Sequence, residues 1–283
     1  MKKRRLRLIL VAAVMALAPI GMTTFARPVT AQAASHKTRK AKLVLPKGYT
    51  KQALLKAYKG KPSKSFIKAS MKGMQVNSFS RNSLPESLKD NKKLVKPNKL
   101  TASQREELAD YSLRLLNQVR EQLDLPAWKT SEGTMKLAQD IADEYTKHKF
   151  GIQNGNHYVA GIVRACKKNG LNLDDNYVED MAGFSESKSK LSMTTLKKNI
   201  YFGLKQMIFG YVGSGEKYRT NPKLYREWEH AGDLFNTQGS KHDGDFNYFG
   251  FSISKVRNVY SLHFISVPDF VVKSDTYNKD FKA

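Results

Sequence analysis

Internal disulfides are excluded at the outset, because 283 residues contain a single cysteine, Cys166. Stability has to come from a packed core instead. Acidic residues are scarce at one end of the chain. The whole carries 49 Lys and Arg against 25 Asp and Glu, a formal charge of +24. Residues 1–33 hold six Lys and Arg and no acid, and residues 34–100 hold 18 against only Glu86 and Asp90. That leaves residues 101–283 close to neutral, at +2. No apolar run after the first thirty residues approaches the roughly 18–20 residues of a membrane-spanning helix. No Gly-x-Ser-x-Gly, His-Glu-x-x-His or Cys/His nucleophile pattern is present, and no Leu-Pro-x-Thr-Gly sorting signal precedes the end Asn278–Ala283.

The N-terminus has the composition of a secretory leader. Met1–Arg7 is positively charged, Leu8–Pro19 is apolar but short, and small-residue cleavage sites follow at Ala26 and Ala33. The expectation is a signal peptide over 1–33 and a protein that is secreted, extracellular or loosely associated with the cell wall. Residues 34–100, rich in Lys, Ser, Pro and Asn, read as a basic low-complexity arm or linker with short helices at most. Its expected partners are polyanions outside a cell, either anionic wall polymers of the teichoic type or lipid headgroups. Nucleic acid is not expected, since no aromatic-interleaved reading face accompanies the charge.

Residues 101–283 suffice for one domain with its own core. Ser103 and Glu106 have capping-box spacing, and Leu108, Tyr111, Leu115, Val119 and Leu123 form an amphipathic helical stripe. Further helices are predicted from about Ser131 to His148, from Tyr158 to Asn169, from Thr194 to Tyr211 and from Pro222 to Phe235. Cys166 reads as a small buried residue of the third. Phe246–Ser254 and Val259–Val267, joined by Lys255–Asn258, read as an antiparallel hairpin. The fold class is α+β: about five helices with a small antiparallel sheet, preceded by the basic arm.

Three stretches carry the residues with chemistry: Gly155–Tyr158, Asn176–Met181 and Glu227–Ala231. If they converge, His157, Glu179 and His230 offer two imidazoles and a carboxylate, able to hold Zn(II) or a related divalent ion or to move protons. Glu227 and Glu229 are further groove candidates by proximity. No catalytic residue is assigned. Tyr201, Phe202, Phe209 and Tyr211 suggest either core or an apolar lipid pocket.

In order along the chain, these motifs resemble the CAP (SCP-like) superfamily: Asn117-Gln-Val-Arg120, the Ala-rich helix around Met135–Tyr145, His157, Val178-Glu-Asp-Met181, Trp228–Leu234 and Tyr248–Ser252. Leu45–Tyr49, Leu100–Gln104, Glu227–Ala231 and His263–Val267 are similar to the PgrA-type surface exclusion domain of Gram-positive bacteria. The resemblance implies an α-β-α sandwich with a groove between the two His segments, and a role in cell-envelope or cell–cell contact. Asp180 stands where the family has Asn, and Val178 and Glu229 where it has Gly. The second acidic groove residue of metal-binding members has no clear counterpart. The reading leans towards a non-enzymatic surface protein with a weak metal site. A metal- or His-assisted hydrolase of wall or peptide material is one alternative, and a lipid-binding protein is the other.

Overall fold

The computed structural model describes residues 40–79 and 88–283. The leader read into Met1–Ala33 and the start of the basic arm lie outside the described residues. Over residues 40–79 the expected linker is instead folded chain. Thr50 and Ser63 cap helices α1 (Lys51–Tyr58) and α2 (Lys64–Val76) by accepting from the backbone N–H of Ala53 and Phe66. Leu54 and Ala57 of α1, and Phe66, Ala69, Gly73 and Met74 of α2, recur at three- and four-residue spacing and are buried. Ahead of them the extended segment is fastened along its backbone. Arg114 donates to the Ala41 carbonyl at 2.7 Å and Gln122 to that of Leu43 at 3.0 Å. Ala41, Leu43, Tyr49 and Leu54 belong to the same apolar cluster as the rest of the domain, so residue 100 is not a boundary between linker and core. Burying a side chain such as Leu, Phe or Met contributes about 1.5–3 kcal/mol, which offsets an ordering cost of about 1–2 kcal/mol per residue. The lysines that dominate the composition sit on the outer faces.

Helix α3 (Leu88–Lys92) and strand β1 (Leu94–Val95) lead through a 3-10 turn to α4 (Ala102–Gln122). The capping box of α4 lies two residues before the expected one: Thr101 accepts from the Gln104 N–H, and the Gln104 side chain accepts from the Thr101 N–H. Strand β2 (Lys129–Thr130) and helices α5 (Glu132–Lys147) and α6 (Val159–Lys168) come next, then strands β3 (Glu179–Ser185) and β4 (Leu191–Ser192) and helix α7 (Met193–Phe209). The helix expected from Pro222 is shorter. Pro222–Leu224 is a 3-10 turn, and α8 runs only over Glu229–Leu234. Between them the chain stays extended, because the N–H groups of Arg226 and Glu227 both donate to the Gly210 carbonyl. The hairpin β5 (Asn247–Val256) and β6 (Val259–Pro268) and a short α9 (Asp269–Val272) complete the described elements.

The main sheet runs β2-β5-β6-β3, antiparallel except for the parallel β2–β5 pair. Its side chains alternate between two helical layers. Phe249, Phe251, Leu262, Phe264, Ala182 and Phe184 face α1, α2, α4 and α7 in one cluster. Met181, Ile265 and Val267 join Ile141, Tyr145, Ile162 and Cys166 of α5 and α6 in the other. Gly250 lets α5 approach closely: a side chain there would strike the Thr134 carbonyl. The result is an α+β fold with an α-β-α sandwich, as expected, though with six helices after residue 100 and three before it among the described residues.

Candidate functional site

The residues that carry the family-like motifs divide into scaffold and rim. Asn117 and Arg120 on α4 are scaffold. The Asn117 carboxamide closes a ring with the backbone of Trp128, accepting at 2.9 Å and donating at 2.9 Å. Arg120 is fully buried and has three backbone carbonyls as acceptors, those of Pro126, Leu234 and Asp245, at 2.8–3.1 Å. Its guanidinium lies 4.3 Å over the Trp128 ring. Burial lowers its pKa to about 9. It thus clips the end of α8 and the start of β5 to α4.

The rim forms where the N-terminal end of β3 meets two loops. Asn176 fastens that end: its carboxamide accepts from the Glu179 N–H and donates to the Glu179 carbonyl. Alternation then sends Glu179 towards α5 and Asp180 towards the opposite layer. The Glu179 carboxylate is wholly buried and accepts from Tyr145 Oη at 2.6 Å, and pairs with His157 Nδ1 at 2.8 Å and His263 Nδ1 at 2.5 Å. Burial pushes its pKa up, but the hydrogen bonds and charge of the two histidines outweigh burial and hold it near 2. The Tyr145 hydroxyl also accepts from the Tyr158 N–H, which fixes the loop that carries His157.

The second histidine is organised in the same way. Glu227 Oε1 accepts from the N–H groups of Glu229 and His230 at the start of α8, and Oε2 pairs with His230 Nδ1 at 2.7 Å. Burial alone would lower the His230 pKa, but Glu227, with Asp180 and Asp233 behind it, raises it to about 10. Asp180 is buried and Asp233 half-buried, and both are raised, by burial first, then Asp180 by the charge of Asp233 and Asp233 by the charges of Glu227 and Glu229. They therefore hold protons more readily than ordinary carboxyls, and one Asp180 oxygen has no hydrogen-bond partner among the described residues.

His157 and His230 come together, with ring centroids 6.0 Å apart and side chains 23% and 19% exposed. Each has Nδ1 engaged by a buried carboxylate, so Nε2 is the nitrogen each can offer outward. This is the arrangement that prepares imidazole for a metal. Glu179 is brought to the site, but behind His157 rather than beside it. Its oxygens are engaged and enclosed, which corrects its expected role as a ligand. Glu227 likewise backs His230, and no hydrogen bond in the described residues joins the Glu229 carboxylate to either histidine. The donor set that fits an ion is two nitrogens, fewer than the three or four protein ligands usual for zinc. Among the described residues no group of three or more His, Cys, Asp and Glu side chains stands ready to hold a metal ion.

Sequence reasoning missed His263, Tyr145, Ser254, Asp180 and Asp233. Ser254 Oγ lies 2.7 Å from His263 Nε2, so Ser254, His263 and Glu179 form a continuous Ser–His–Glu chain. Ser254 is 1% exposed and His263 fully buried between sheet and helix, so no substrate carbonyl can reach that hydroxyl. The chain orients Glu179 instead. The one sequence signal for it was the polar alternation Ser252, Ser254 and His263 on strands whose other face is aromatic. The Tyr201, Phe202, Phe209 and Tyr211 rings are core residues. An open groove of about 740 Å³ runs along the outer side of α4 past Asp110, Arg114 and Glu121, and shares no lining residue with the histidine rim. No described helix is long and apolar enough to cross a membrane.

No family model and no curated protein matches the chain. Among solved structures, the CAP domain of enterococcal PrgA is similar at 26% identity and a TM-score of 0.62, over 82% of this chain and 87% of that one. With the α-β-α layering and the paired histidine segments, the chain has a CAP-like fold.

Proposed function

We propose that this chain is a non-enzymatic binding protein of the CAP-like, surface exclusion type. It is exported and acts in cell-envelope or cell–cell contact, with the rim around His157 and His230 as its ligand face. The observation that carries the reading is the pair of partly exposed imidazoles whose Nδ1 atoms are held by buried carboxylates, leaving Nε2 to be offered outward. Zn(II) suits those nitrogens. It would act as a Lewis acid or as a bridge to an anionic or carbonyl group of the ligand, and the two-nitrogen donor set makes the affinity modest. His230 carries a proton at neutral pH by virtue of Glu227, so uptake of the ion there displaces that proton.

Calorimetric titration of the purified chain with Zn(II) at pH 7.5, in two buffers of different ionisation enthalpy, tests this. The expected result is one weak site that releases about one proton, lost in both His157→Ala and His230→Ala. An unchanged titration in the double variant would refute the metal part. Turnover of peptide or wall material that disappears in either histidine variant would refute the non-enzymatic reading and favour the hydrolase.

A further inference from the structure

Between Lys40 and Phe79 the sequence has ten lysines, no arginine and no acidic residue. As these residues are folded against the domain, their charge is held in place. On α2, Lys64, Lys68 and Lys72 are exposed and succeed one another at four-residue intervals, while Phe66, Ala69, Gly73 and Met74 take the inner face. A four-residue step advances about 6 Å along a helix, so the three ammonium groups form a row on one side. Lys59 and Lys61 are exposed in the link just before α2, with the end of the Lys59 side chain beside Gly239. No ion pair joins any of these five to a carboxylate among the described residues. The 3-10 turn against which α2 packs brings another exposed cation, Lys223.

We propose that this row is a docking surface for a linear phosphodiester polymer without bases, of the poly(glycerol phosphate) kind. A repeated single-charge spacing suits a partner with regularly spaced single charges on a short flexible linker. Lysine is a compact point charge and lacks the fork and the flat stacking plane that arginine brings to nucleic acids. Tyr58 and Phe66 are turned inward or half-buried, so the face has no platform on which bases could stack. None of the exposed large apolar side chains of the described residues, Val44, Leu94, Tyr177, Tyr218 and Tyr277, lies on α1 or α2. The face therefore has no wedge for insertion between lipid tails. The surface is separate from the histidine rim, and the inference does not depend on what the rim binds.

The test is binding of the full chain to fluorescent poly(glycerol phosphate) over 50–300 mM salt, beside single-stranded DNA of equal charge number and vesicles containing about 30% anionic lipid. The variant Lys64→Gln/Lys68→Gln/Lys72→Gln removes three cations with no structural partner, and Lys147→Gln/Lys167→Gln/Lys188→Gln removes three elsewhere. Circular dichroism and the melting temperature check that both fold as the parent does. For the row variant the expected result is a loss of at least tenfold in affinity near 150 mM salt. Its log–log salt slope should also be smaller by about two, from roughly 0.7 per neutralised phosphate on a single strand. The control variant should change affinity by less than threefold. Equal losses in the two variants would show a net-charge effect and overturn the proposal, as would an unchanged row variant. Tighter binding of DNA or vesicles than of the polymer would overturn the assignment of the partner.

Discussion

Replacing Glu179 by Gln keeps the shape of the side chain and removes the charge on which three donors converge. The carboxylate is wholly enclosed and paired with His157, His263 and Tyr145. Its pKa is held near 2 against an ordinary 4.5, a difference of about 2.5 units that is worth about 3 kcal/mol. The sign is set by linkage. A depressed folded-state pKa contributes stability that is fully present above the unfolded value and lost as pH falls through the folded one. Glu179→Gln should therefore cost about 3 kcal/mol at pH 7, about 1 kcal/mol at pH 3 and close to nothing at pH 2. For a domain of this size, that loss at pH 7 lowers the melting temperature by roughly 6–12 °C. Urea denaturation of parent and variant at the three pH values measures it, provided the parent still unfolds cooperatively at the lowest. A penalty that stays constant with pH, or lies below about 1 kcal/mol at pH 7, would mean that the histidines do not depend on the charge of Glu179.

Further outcomes are expected for Arg120 and for the region before residue 101. Arg120→Met leaves the carbonyls of Pro126, Leu234 and Asp245 without their donor and should lower stability by about 3 kcal/mol in urea titration. Arg120→Lys should recover little, because one ammonium group cannot span three acceptors. Limited proteolysis of the full chain should leave a resistant fragment beginning near Lys40. A chain starting at residue 101 should unfold with low cooperativity and bind hydrophobic dyes, since it uncovers the core against which Leu43, Tyr49, Phe66 and Met74 pack.

The long helices and the terminal hairpin were legible because their apolar residues recur at 3.6 or 2 positions over many residues. The α4 stripe and the β5–β6 alternation are direct examples. Short elements were not legible. Lys129–Thr130 becomes a strand only because β5 lies beside it, and two residues carry no period of their own. The region before residue 100 was misread for a different reason. Averaged composition sees its lysines, whereas folding depends on which positions are apolar, and Leu54, Ala57, Phe66, Ala69 and Met74 keep helical spacing beneath the charge. At the site, His157, Glu179 and His230 were legible as imidazoles and a carboxylate in three short stretches, but Glu179 was given the wrong task. Sequence shows which groups can meet a metal, not that His263 and Tyr145 arrive from other elements and occupy both carboxylate oxygens. Asp180 looked like a departure from Asn and proves to be a buried acid facing the charge of Asp233, for which no separation along the chain gives a signal.

The aromatic seam beneath the rim has a mechanical meaning. Tyr49 donates to the Ile208 carbonyl and lies 4.8 Å from Phe66, Phe66 lies 5.4 Å from Trp228, and Trp228 is the residue between Glu227 and Glu229. Gly210, at φ +65°, leaves room for the indole, and a side chain there would overlap it. The first two described helices and the segment bearing His230 are therefore bolted together through three rings. A molecule gripped by its first two helices would not dangle on a leash. Its histidine face would keep one bearing relative to whatever holds those helices, and presenting that face to a second body would become a question of aim rather than of reach.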